Sequence, residues 1–374
     1  MPAPTFQPKG SPIGRHLPWQ PLLVLLVTLL GASPLACHTS PAPEFKSATP
    51  TSSVVVRNAR LPGGAPIEIL IVGGLVAEVG PSIPTNNSDS IDANGRYLVP
   101  GIIDSHVHLA YLPVGEAMVK AGIAGAVDLA APLPLRAPAK GLDLLSAGPM
   151  LTAIGGYPTR SWGQDGYGLE VDSKPGIDEA LARLQDAGAR LVKFSLGAGP
   201  DLDEELLQYL VTEAKRRDLL VAVHALSDAD AATAARLGAD ILAHTPIQPM
   251  SNETVQLWSN RAVISTLTAF GSTQATKDNL LALRDAGATI LYGTDLGNTR
   301  EAGISCPEIV AMQSAGLANE EILRAMTAAP AEFFGFSGLG SIAPGNKARL
   351  LLLDDDPFLD AQTLCRPSLV FSNE

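Results

Sequence analysis

Apolar and polar positions follow two different rhythms along this chain, and the change falls near Pro100. Before it, short apolar runs are broken by turn residues. VVVRNARL begins at Val54 and IEILIVGGLVAEVG at Ile67, with Gly73-Gly74 splitting the second run. Two β-branched runs around a Gly pair predict a hairpin. After Pro100, short apolar stretches alternate with amphipathic ones, the pattern of a parallel α/β fold. Eight stretches read as strands: 101–108, 124–130, 150–154, 191–196, 220–224, 241–244, 263–267 and 289–293. Three junctions repeat one form, DAGARLVK from Asp186, RLGADILA from Arg236 and DAGATILY from Asp285. In each, Gly permits a left-handed helix end before the chain enters a buried strand. Asp201 with Glu204, and Ser227 with Asp230, predict helix starts, an N-cap oxygen with an acid three residues on.

The alternation stops after Gly338. IAPGNKARLLLLD from Ile342 and LVF from Leu369 read as strands with no helix between them. The expected fold class is therefore α/β: a (β/α)₈ TIM barrel over residues 100–338, with a small composite β-sandwich from 54–99 and 339–374. The chain's 374 residues, 46% of them hydrophobic, suffice for one such barrel, which takes about 250 residues, plus an appendage.

The first 37 residues differ again. Lys9 and Arg15 precede the apolar run LLVLLVTLLGA, Leu22 to Ala32. The run is shorter than the ~20 residues of a membrane span and reads as the core of a signal peptide. It leads to Pro34-Leu35-Ala36-Cys37, which resembles a bacterial lipobox with Pro34 in place of the usual Leu. The expectation is an exported periplasmic or cell-envelope lipoprotein, touching membrane only through a lipid on Cys37. The alternative is a simple cleaved signal. Residues 38–53, rich in Ser, Thr, Pro and Ala, read as a flexible tether. Cys306 and Cys365 fall in segments assigned to different units, so no disulfide between them is expected. A formal net charge of -12 without any Lys/Arg cluster argues against a nucleic-acid partner and leaves a small-molecule substrate. Homo-oligomer formation stays open.

Candidate chemistry concentrates on few residues. Of six histidines, His16 and His38 lie in the leader and tether. His106, His108, His224 and His244 each end an apolar strand, on the face where barrel enzymes build active sites. His106 and His108 point the same way, about 6.5 Å apart along the strand, with Val107 toward the helices. Two rings so placed can grip one ion. Lys193 ends a strand inside the barrel, where an unpaired ammonium is costly. It reads as paired with a carboxylate, as a carbamate bridging two metals, or as a Schiff-base lysine; the four histidines favour the metal. Asp295, after the last strand, reads as a metal ligand and proton acceptor or as a helix cap. In the loop after strand three, Tyr157, Arg160, Trp162 and Tyr167 stand out, and Arg160 could grip a carboxylate or lie on the surface. Thr268 and Phe270 could line the same pocket.

The ordered set PGIIDSHVH, VKF, VHA, AHTP, GTD and APGNKARLLLLDDDP resembles the amidohydrolase superfamily, nearest its imidazolonepropionase-like and prolidase-like branch with a strand-four lysine. The similarity runs from about Val54 to the C-terminus. It implies two divalent ions, zinc by expectation. His106, His108 and Asp295 would hold one, and His224 and His244 the other. A carboxylated Lys193 and a hydroxide would bridge them, with Asp295 as catalytic proton shuttle. His224-Ala225-Leu226 departs from relatives that carry a second His there, which bears on substrate contacts (Tyr157, Arg160, Trp162, Thr268). The implied activity is hydrolysis of C–N bonds in cyclic amides, imides or N-acyl compounds. The alternatives are a prolidase-like dipeptidase or carboxypeptidase, and an inactive exported binding protein.

Overall fold

The structure, a computed structural model, describes residues 45–48, 53–64, 66–84 and 88–372. The leader, His16, His38, Cys37 and most of the tether lie outside them. Within the tether, Ser47–Ala48 is a short strand running parallel to Leu369–Phe371.

The barrel begins at Ile102–Val107, which pairs in parallel with Ile123–Asp128. Ile123–Asp128 pairs with Asp143–Ser146. The third position is split: Asp143–Ser146 faces the second strand, while Met150–Thr152 faces Leu191–Ser195. Parallel pairing then runs through Leu220–His224, Ile241–Leu242, Ala262–Ile264 and Thr289–Leu291. The first strand meets the last through Ser105 N–H to Tyr292 O (2.9 Å), Asp295 N–H to His106 O (2.9 Å) and a Val107–Leu296 bridge. The architecture is TIM-barrel-like. Apart from Leu220–His224, which ends where expected, the observed strands stop short of the apolar runs at their C-terminal ends, where the chain leaves the ladder around the site.

Side chains alternate as parallel barrel strands require. Val192, Phe194, Val221, Val223, Ile102 and Val107 pack outward in the core beneath the helices. Leu191, Ala222, Ile103, Ala243 and Ile264 pack inward in a second cluster closed below by Phe334 and Phe336. The same alternation turns Lys193 and His224 inward above that cluster; in the first strand a register irregularity between Asp104 and Val107 resets it, so that His106 and His108 face inward on either side of Val107.

Helix starts follow local rules. Ser227 caps Asp228–Leu237 by accepting from Asp230 N–H, as expected, and Gly238 closes it at φ +100°. The expected cap at Asp201 is instead Asp203, which accepts from Leu206 N–H at the head of Glu204–Arg216. Asp201 turns back to accept from Gly197 N–H. A short strand in the loop after strand three, Gly168–Glu170, was not foreseen; it extends the sheet beside Met150–Thr152.

The terminal segments share one eight-stranded sheet. The hairpin at Gly73-Gly74 forms between Pro66–Val72 and Leu75–Gly80. Leu350–Leu353 pairs antiparallel with Tyr97–Pro100, so the N- and C-terminal described segments are joined at the entry to the first barrel strand. Val56, Ile69, Ile71, Leu98, Leu350 and Phe371 bury one another there.

One expectation is overturned. Cys306 and Cys365 form a disulfide, with Cα atoms 5.5 Å apart. The helix Cys306–Ser314 packs against the turn Ala361–Cys365, so two segments assigned to different units are neighbours. Thiol titration of the unreduced, denatured protein should find neither cysteine reactive. Replacing both by Ala should cost on the order of 4 kcal/mol or less in chemical denaturation, given the 59-residue separation. Two titratable thiols without reductant would refute the bond.

Candidate metal centre

His106, His108, Lys193, His224, His244 and Asp295 converge on the upper end of the barrel and are all buried. His106, His244 and Asp295 each offer a donor atom within 4.8 Å of the others. His106 Nε2 lies 3.3 Å from Asp295 Oδ1, 3.3 Å from His108 Nε2 and 3.4 Å from Lys193 Nζ. His108 Nε2 lies 3.2 Å from the same Asp295 oxygen. His244 sits between rings, 4.6 Å from His106 and 4.9 Å from His224, centroid to centroid. The set expected from the chain's sequence is thus brought together.

Hydrogen bonds orient the rings. His106 Nδ1 is 2.8 Å from Ala243 O, which requires a proton on that nitrogen and leaves Nε2 a free lone pair facing Asp295. His244 Nδ1 is 3.1 Å from Thr266 Oγ1. Asn298 donates its amide to Asp295 Oδ2 at 2.8 Å, which leaves Oδ1 turned to the histidines. Two of these residues are held in left-handed backbone: Asp295 at φ 53° and Thr266 at φ 39°. Such positions cost roughly 1–3 kcal/mol each without glycine and persist where surrounding structure imposes them. Glycines give the ligands room. A Cβ at Gly293 would stand 3.0 Å from His106 Cβ, and one at Gly297 (φ +127°) would stand 2.8 Å from His108 Cβ.

The electrostatics suit a cation. Burial, reinforced by the Lys193 ammonium, pushes His106 well below its usual value and His224 down to about 3. Burial and the His106 ring do the same to His244. The neutral form that burial favours in these rings is the one that binds metal. Burial lowers Lys193 to about 8 against the pull of Asp295 and Asp128. For Asp295, burial works toward protonation, but the imidazoles outweigh it and hold the carboxyl well below the usual range. Its Oδ1 is nonetheless buried without a hydrogen bond of good geometry, and so is His108 Nδ1. An ionised, buried, unsatisfied oxygen beside imidazole nitrogens is a donor set that fits a divalent ion.

Several contributors were not legible beforehand. Asp128, raised to about 6 by burial, places Oδ1 4.0 Å from His108 Nδ1. Glu308 is fully buried and accepts from Leu267 N–H, Thr268 N–H and the Thr268 hydroxyl. The available signal was Ser305 with an acid three residues on, which reads as a helix cap and hides this long-range role. Glu308 pins the turn that carries Phe270 to 4.7 Å from His244. Thr268, expected to contact substrate, has its hydroxyl committed to Glu308.

The loop after strand three covers the centre. Tyr157 stacks on His224 at 5.1 Å and accepts from Trp162 Nε1 at 2.9 Å. Trp162 lies 5.1 Å from His108. Arg160 is exposed, and its guanidinium packs on Gly155, so close that a Cβ there would meet Nη2 at 2.2 Å. Glu170, beside it, holds that corner by accepting from Gly155 N–H and the Thr159 hydroxyl. Arg160 therefore stands apart from the cavity that reaches the centre. That cavity, about 120 Å³, is lined by His108, Tyr111, Trp162, Gly297, Asn298 and Arg300. A wider cleft of about 850 Å³ lies beyond Asp128 and is not lined by any of the six converging residues.

A family model described as the amidohydrolase family matches residues 97–374. The chain is 28% identical over 311 residues to an adenine deaminase of Deinococcus radiodurans, covering 77% of this chain and 55% of that protein. It thus spans about half the length of that relative. It is 24% identical over 367 residues to an imidazolonepropionase of Streptomyces griseus, covering 82% and 92%. A solved Xaa-Pro dipeptidase with methionine bound in its active site superposes with a TM-score of 0.73 at 20% identity, over 86% of this chain and 98% of that one. This last likeness is one of fold.

Asn298 and Gly297 generate a test of the geometry. Asn298→Ala releases Asp295 Oδ2, and Gly297→Ala drives a methyl into His108. Each should weaken divalent-metal affinity on the order of tenfold or more, measured by competition with a chromophoric chelator. Unchanged metal affinity in both variants would show that these contacts do not orient the ligands.

Proposed function

The chain belongs to the amidohydrolase family, and from that premise we propose that it is a metal-dependent hydrolase of C–N bonds in small molecules such as cyclic amides, imides or N-acyl compounds. The observation that carries this reading is the buried, ionised, unsatisfied Oδ1 of Asp295 among buried imidazoles. On this reading His106, His108 and Asp295 would hold one divalent ion, and His224 and His244 a second. Lys193, carboxylated on Nζ, would be the ligand they share. Zinc is the expected metal, given the imidazole-rich set. Bound divalent ions supply acidified water and polarise a substrate carbonyl.

The chain's own residues then have distinct tasks. Asp295 is ionised at neutral pH, so Oδ1 can take a proton released on attack at the carbonyl. Being a weak base, it gives that proton up readily to the departing nitrogen. Asn298, bound to Oδ2, keeps Oδ1 in place for both transfers. Tyr157, Trp162 and Phe270 keep bulk water from the imidazole rings, which strengthens electrostatic interactions inside the site. Lys193, lowered to about 8 by burial, carries a fraction of free amine at neutral pH, the form that adds CO₂.

The export segment and Cys37 support a further proposal, that the enzyme works outside the cytoplasm on a lipid anchor. A test of that part is radiolabelled palmitate incorporation that disappears in Cys37→Ala.

The central test is elemental. Purified protein should hold about two divalent ions per chain and hydrolyse members of an amide, imide and N-acyl panel. Lys193→Ala should lose one ion and at least a hundredfold in activity, and short-chain carboxylic acids should restore part of both. Lys193→Arg should show no such rescue, because guanidinium stays charged. Two ions retained by Lys193→Ala in the absence of added acid would remove Lys193 from the bridge.

A further inference from the structure

The 120 Å³ cavity has one feature that the hydrolase reading leaves unused, the cation on its rim. Arg300 follows the Asp295 turn, and its guanidinium carbon lies 5.8 Å from the centre of the Tyr111 ring. Tyr111 in turn meets Trp162 edge to face at 6.0 Å, and Trp162 lies 5.1 Å from His108. Cation, aromatic wall and metal-site histidine therefore form a continuous series around one small space. Among the described residues no carboxylate lies within ion-pair distance of Arg300; Asn298, which also lines the cavity, has its amide committed to Asp295. An arginine on an aromatic ring is held in place by the cation–π contact while its fork of N–H donors stays free.

We propose that Arg300, seated on Tyr111, is an anion subsite that selects substrates bearing a carboxylate on the side away from the scissile bond. The scissile bond is the part that rests on the hydrolase reading; the subsite itself rests on the cavity and its cation. Physical reasons favour a carboxylate. It matches the guanidinium fork with two parallel charge-assisted bonds. The cavity walls between Arg300 and His108 are aromatic, which suits an apolar spacer between the carboxylate and the reacting group. Arg160, the cation singled out in the sequence, is packed against Gly155 and does not line this space.

The test uses the metal-loaded protein and two ligands with no bond to cleave, phenylbutanoate and phenylbutanol, titrated by calorimetry. The wild type should bind the acid on the order of tenfold more tightly than the alcohol. Arg300→Met, which keeps an apolar stem on Tyr111, should abolish that preference and leave the alcohol's Kd unchanged. Arg300→Lys should keep part of it. In turnover of paired N-acyl amino acids and their amides, Arg300→Met should raise KM for the acid alone, with kcat little altered. Equal affinity for acid and alcohol in the wild type, or equal weakening of both in Arg300→Met, would overturn the proposal. An acid preference that depends on Arg300, without turnover of any amide, would keep the subsite and remove the hydrolase reading. Turnover without an acid preference would do the reverse.

Discussion

Asp295 keeps one carboxylate oxygen buried, ionised and without a hydrogen bond, in left-handed backbone. An unsatisfied buried polar group costs about 1–3 kcal/mol, and a charged one more; the backbone adds to that cost. Much of the upper barrel is arranged around sustaining it. Gly293 and Gly297 let His106 and His108 come close enough to face the oxygen, and Asn298 ties down its partner oxygen. A bound cation turns the same arrangement from a cost into a stabilisation, which is why the site's chemistry and the fold's strain point to one conclusion.

The imidazoles show the same coupling. Burial favours the neutral form of His106, His224 and His244, and that is the form that ligates. Their orientation comes from partners outside the cluster: Ala243 O for His106 and Thr266 for His244. Both partners lie just past strand ends, where the ladder has stopped and backbone groups are free to bond elsewhere. Short strands are therefore a condition of the site, since a ladder continued upward would have consumed the carbonyl that sets the His106 tautomer.

Loops supply the cover and the recognition. The aromatic cover is built by ring contacts and the Trp162–Tyr157 hydrogen bond. The turn bearing Phe270 is pinned from a distant helix by Glu308. Both are long-range arrangements, and neither has a sequence period that would reveal it. The rim cation is a loop residue too, and it comes from the loop after the last strand rather than the loop after strand three, where a cation was first sought.

How much was legible follows from this division. Strand alternation is local, so Val107 facing the helices was enough to turn His106 and His108 inward, and Gly after a helix was enough to mark the entry into strands. The motifs at the strand ends carried the six converging residues, because a barrel places all strand ends on one face. Tertiary structure decided what no local rule reaches. Asp128 reads as an ordinary strand-end acid until it is seen beside His108. Asp203 displaced Asp201 as a cap because Asp201 was drawn to Gly197. Cys306 and Cys365 became partners because a helix and a turn far apart in the chain pack together. Arg160 and Arg300 are equally plausible carboxylate ligands as letters. Packing against Gly155 beside Glu170 removed one from the cavity, and the Tyr111 ring held the other at its rim. The sequence determined which strand-end residues converge, since that depends on strand period and barrel topology; the tertiary structure decided which loop residues join them, since that depends on long-range packing.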